Sequence, residues 1–135
     1  MTEHAHHHGR SVVVSLSCMD AHLEAHEHEG AVALSCELHP NAGRMIAFSA
    51  VVEMLVSLSS ALEEAGAFIG HVKAFAEDGM HTASASVTDL AQGAVIVGDA
   101  DMAIGPDARV QAVAIIVGLP VEEALAIFTE SLSFC

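Results

Sequence analysis

Alternation of apolar and polar residues dominates the first forty positions. Ser11 to Cys18 sets Val12, Val14, Leu16 and Cys18 on one side and Val13, Ser15 and Ser17 on the other. That period of two predicts a strand. Ala31 to His39 repeats it, with Val32, Leu34, Cys36 and Leu38 facing one way and Ala33, Ser35, Glu37 and His39 the other. The two runs share a local likeness, SLSCMDAH against ALSCELHP, too short for a repeat architecture. They predict neighbouring strands, antiparallel if the segment between them is a direct connection.

Pro40, Asn41 and Gly43 then interrupt the alternation and the spacing changes to that of a helix reaching about Ala65. Asn41 is a candidate N-cap and Gly66 a stop. Met45, Phe48, Val52, Leu55, Val56 and Leu62 form the apolar stripe, with Ser49, Glu53, Ser57, Ser60 and Glu64 opposite. Glu53 and the serines make this a buried amphipathic helix rather than a membrane span.

Phe68 to Thr88 reads as a hairpin turning at Asp78-Gly79. A two-residue turn there pairs Glu77 with Met80, Lys73 with Ser84 and His71 with Ser86. One face carries Val72, Ala74, Ala76, Ala83 and Ala85, small enough to lie beneath a helix. The other carries His71, Lys73, Phe75, Thr82, Ser84 and Ser86. Ala94 to Val97 is a short strand, and Gly98 to Asp107 an acidic loop without the closing Glu of an EF-hand. Val110 to Val117 is apolar on both sides apart from Gln111, so it is central or covered. Leu119-Pro120 opens a last helix with the stripe Val121, Leu125, Phe128 and Leu132, and Glu122 and Glu123 suit its N-terminus.

These elements predict an α+β domain: a mainly antiparallel sheet of about five strands with two helices on one face. Residues 1–10 form a flexible histidine-rich N-terminus and residues 11–135 a single domain. The other sheet face, small and serine-rich, is expected in an oligomer interface. Composition strengthens that expectation. Charged residues make up 16% of the chain, against about 25% in an average protein, so a monomer has little charge with which to cover its surface. A homo-oligomer follows.

The charge that exists is nearly all negative. With 18 acidic residues against Arg10, Arg44, Lys73 and Arg109, the net charge is -14, which excludes nucleic acid and anionic membranes as partners and favours cations. Three cysteines without a CxxC spacing predict no disulfide framework and no zinc knuckle. Cys18 and Cys36 are expected to pack as small apolar groups in a reducing cytoplasm.

Histidine supplies the candidate chemistry. Ten are present, and Asp20 to Glu29, DAHLEAHEHE, holds three of them among four carboxylates. Neutral imidazole is the commonest protein ligand of zinc, copper and nickel. In a helix His22 and His26 would share a face. In a strand Asp20, His22, Glu24, His26 and His28 would do so. His4, His6, His7 and His8 form a second cluster upstream. After loss of Met1, His4 becomes third in the chain and could close a square-planar Cu(II) or Ni(II) site with the terminal amine and two amides.

The leading expectation is therefore a small cytoplasmic protein that binds or buffers a divalent transition metal (zinc, nickel, copper or cobalt). Its ligands would come from His4, His6, His7, His8, His22, His26 and His28. A second is an enzyme or anion binder with His71 as acid or base and Lys73 as anion holder, in a concave site that could include Glu37. A third is a purely structural homo-oligomer. No GxxxxGK[ST] or GxGxxG occurs, so no phosphate cradle of familiar form is expected.

Overall fold

A computed structural model describes residues 8–133. In chain order the elements are β1 (His8–Ser15), β2 (Met19–His28), β3 (Ala31–Pro40), β4 (Ile46–Ala47), α1 (Phe48–Glu64), β5 (Phe68–Glu77), β6 (Thr82–Val87), β7 (Val95–Gly98), β8 (Ala103–Ile104), β9 (Arg109–Val117) and α2 (Val121–Glu130). The architecture is α+β. Seven strands form one antiparallel sheet in the order β1-β2-β3-β9-β5-β6-β7, and β4 pairs with β8 beside it. Both helices cover the same face, α1 over β5 and β6, α2 over β2 and β3.

The sheet has more strands than expected because the histidine segment is itself a strand. Asp20 to His28 alternates without a break, and Met19, Ala21, Leu23 and Ala25 are buried. β2 therefore lies between β1 and β3, and the first strand starts and ends three residues earlier than its own pattern suggested. β9 is the middle strand, as its two apolar faces require.

The core lies between the sheet and the helices. Its floor is paved with small residues: Cys36, Ala112, Ala74 and Ala85 follow one another across β3, β9, β5 and β6, and Ala76 and Ala83 continue the pavement in the next row. Phe48, Leu55, Leu58 and Leu62 of α1 and Phe128 of α2 bring the bulk. Of the expected helix stripe, Met45 lies outside, 63% exposed, because α1 begins only at Phe48. Asn41 is not its cap. Its Nδ2 donates to the Ser17 carbonyl, while the N–H of Phe48 donates to the Met102 carbonyl.

The β5–β6 connection is a four-residue loop rather than a two-residue turn. Glu77 pairs with Thr82 and Lys73 with Ser86. A shift of two residues preserves parity, so each side chain stays on its expected face. The loop is closed by Asp78, whose Oδ1 accepts from the N–H groups of His81 and Met80 at 2.7 and 2.9 Å. Those two bonds hold its carboxyl below the usual value. At the far end of the sheet Gly98 has φ +95°, and a Cβ there would stand 2.4 Å from the Thr82 carbonyl oxygen. β7 can approach β6 only with glycine at that position.

Cys18 is buried in the core as its strand phasing predicted, but as part of a disulfide rather than as a free thiol. Cys36 is the free cysteine among the described residues and is fully buried. No helix among the described residues is long and apolar enough to cross a membrane.

Ala74→Leu should lower stability in urea by about 1–3 kcal/mol, because it forces an isobutyl group in place of a methyl against a filled layer at a buried position. A change within a few tenths would show that the alanine floor is loose. Asp78→Ala should lower the thermal midpoint at pH 7. Because the folded chain depresses this carboxyl, its contribution is full above the ordinary value and is lost as pH falls through the depressed one. The gap between wild type and Asp78→Ala should therefore narrow on strong acidification.

Candidate functional site

The uncovered face of the sheet collects the chemistry. One row runs Val13, His22, Glu37, Gln111, Phe75, Ser84, Val97 from edge to edge. The next runs Ser11, Glu24, Ser35, Val113, Lys73, Ser86, Val95. The third runs Gly9, His26, Ala33, Ile115, His71. Serine is confined to parts of β1, β3 and β6. Between them stand Phe68 (78% exposed), Phe75, Ile115, Val117, Val95 and Val97, so the face is less small than its β5–β6 half suggested.

The histidines of β2 reach this face because of one turn. Glu29 and Gly30 both have positive φ, 54° and 85°, which gives the two-residue hairpin that the strand twist favours. His28 then faces Ala31, and counting outward puts His22 opposite Glu37 and Asp20 opposite His39. The four residues make a square block, imidazoles on one diagonal and carboxylates on the other. The His22 and His39 rings lie edge to face with centroids 5.5 Å apart. His39 Nε2 is 3.4 Å from Glu37 Oε1.

The other expected ligands disperse. His26 packs over the backbone of Gly9, and its Nε2 is 3.6 Å from Glu24 Oε1. His28 approaches Glu29 at 3.7 Å. Across β3 these two meet Ala33 and Ala31, which offer no ligand. His8 is the first residue of β1, opposite Glu27. His4, His6 and His7 lie outside the described residues. Among the described residues no group of three or more His, Cys, Asp or Glu side chains is already assembled around a point. Cys36 alternates with Glu37 and faces the core. Burial, and then the Glu37 charge, push its thiol up to about 12. It cannot lend a thiolate to a metal on the open face.

No family model, curated protein or solved structure matches this chain. The site is therefore argued on its own geometry.

Beside the block is a cleft of about 380 Å³ at the end of the sheet where the loop before β9 rises over it. Glu37 and His39 form one wall, Phe75, Glu77 and Gln111 the floor, and Asp107 and Arg109 the rim. His71 and Lys73 do not line it. They stand exposed on β5 beside Ile115 and Val113, in rows further along the strand. The sequence pattern placed both on the open face but could not show that the concavity is elsewhere. The strand alternative groups Asp20 with His22, but His39 and Glu37 join them only through the turn at Glu29-Gly30, which lacks the usual Asn or Asp.

Iodoacetamide at pH 8 should leave Cys36 unmodified in the native chain and alkylate it after unfolding, as read by peptide mass mapping. Rapid native labelling would show that the β3 core face opens.

Proposed function

We propose that this protein binds or buffers a divalent transition metal on the open sheet face, through His22 and His39 with Glu37 and Asp20 alongside. The 5.5 Å spacing of the two rings carries the reading. Two imidazoles bound to one tetrahedral ion at ~2.0–2.1 Å have centroids roughly 5 Å apart, so little motion is needed. A net charge of -14 favours cations. His26 and His28, with His4, His6, His7 and His8 of the N-terminus, act as outlying ligands that raise the local capacity for ions. The side chains of His39 and Glu37 are more than half exposed. Binding is accordingly weak and exchangeable, as in a buffer or carrier, not that of a closed structural site. Imidazole suits zinc, nickel, copper and cobalt alike.

A homo-oligomer completes the proposal on compositional grounds, and the disulfide at Cys18 assigns it oxidising surroundings in place of the reducing cytoplasm expected from the cysteine pattern. One observation favours a second reading. The cleft bounded by Glu37, His39 and Arg109 has the size of a small-molecule site, and an anion held by Arg109 could reach it. This replaces the His71 and Lys73 version, whose residues lie outside that cleft.

Calorimetric titration with Zn(II) and Ni(II) tests the metal reading. It is best done in a background where His4, His6, His7 and His8 are alanine. There His22→Ala or His39→Ala should weaken binding by roughly tenfold or more, while His26→Ala and His28→Ala should do little. Affinity should fall as pH drops below about 6.5, where free imidazole takes up a proton. Equal affinities for all four variants would remove the block as the ligand source.

A further inference from the structure

The open face is divided. Its β1–β3 half holds Asp20, Glu24 and Glu37 with the imidazoles of His22, His26 and His39. On the other half, three successive rows across β9, β5, β6 and β7 contain no carboxylate, and Lys73 is their one formal charge. That half exposes Phe68 (78%), Val97 (66%), Val95 (56%), Val117 (49%), Phe75 (44%) and Ile115 (39%). Together they present roughly 600 Å² of apolar side chain, at the top of the range for the largest patch on a monomer and near the ~800 Å² per partner of a standard interface. For a chain of net charge -14 a second copy is repelled almost everywhere else.

Side-chain bulk also alternates across this region in a particular way. In the middle row β3 offers Ser35, β9 Val113, β6 Ser86 and β7 Val95, with Lys73 of β5 between them. The sequence is small, large, then β5, then small, large. Rotation by half a turn about a line along β5 exchanges β9 with β6 and β3 with β7. Height along the strands is unchanged by that rotation, so Val113 meets Ser86 of the copy and Val95 meets Ser35, while Val97 falls opposite Glu37.

We propose that this half of the face is the interface of a homodimer, two sheets packed at about 10 Å with the twofold axis along β5. β2 and its histidines lie outside the contact. The interface does not depend on metal binding, so the two proposals can fail separately.

Sedimentation velocity and light scattering on the full chain, in EDTA at micromolar concentration, test it. The expected mass is twice the 14.0 kDa of one chain. Ile115→Glu and Val97→Glu change exposed positions, and each should give a single-chain mass with an unaltered far-ultraviolet spectrum. Ser57→Glu, on the outer face of α1, should remain dimeric. Should a glutamate variant fail to fold, Lys73→Met still decides. The axis brings Lys73 near its own copy, so removing the charge should tighten the dimer by roughly threefold or more. A monomeric wild type would overturn the proposal and leave the face to a different partner. A mass of three or more copies would overturn the twofold arrangement, as would a dimer indifferent to the glutamates when folded or to Lys73→Met.

Discussion

The structure depends on a volume match between α1 and the strands beneath it. Phe48, Leu55, Leu58 and Leu62 are large, and Ala74, Ala76, Ala83 and Ala85 are small. The helix can settle onto β5 and β6 only because the floor gives way there, and the larger residues of β2 and β3 receive α2 instead. Once that face is filled, the period of two leaves the alternate residues no other place than the uncovered side. The imidazoles, the carboxylates and the exposed valines are therefore where they are as a consequence of core packing. No local preference of their own is required.

Parity was the most legible property of the sequence. It assigned the faces of β3, β5 and β6 correctly, and it survived the mistaken hairpin register because that error was of two residues. Length and identity of connections were less legible. Asp78-Gly79 has the form of a tight turn, yet the Asp78 carboxylate recruits the N–H groups of Met80 and His81 and builds a wider loop. Glu29-Gly30 lacks that form and nevertheless makes the tight turn. Asn41 has the chemistry of a helix cap but spends its amide on the Ser17 carbonyl, across a chain crossing that no local pattern contains.

The candidate site was legible in half. Alternation alone puts Asp20, His22, Glu24, His26 and His28 together if the segment is a strand. The residues Ala, Leu, Glu and His are as much at home in helices, which left the conformation open. What settles it is tertiary: three strands and a helix claim Ala21, Leu23 and Ala25 for the interior. His39 and Glu37 enter through pairing between strands, which depends on where the chain turns. The cleft depends on still more distant events, since β9 arrives between β3 and β5 from beyond α1 and the β5–β8 segment in the chain.

The Glu29-Gly30 hairpin carries an implication for sequence drift. Its two strands can slide past one another only in steps that conserve parity. A single inserted or deleted codon at the tip would rotate one whole strand relative to the other, bringing imidazole against leucine on the inside and leucine into water. Point replacement of any one histidine leaves the architecture intact. The spacing between Asp20 and His39 is thus held by the solvent-hidden side of the sheet, and the ligand set inherits a fixed geometry from residues that never touch an ion.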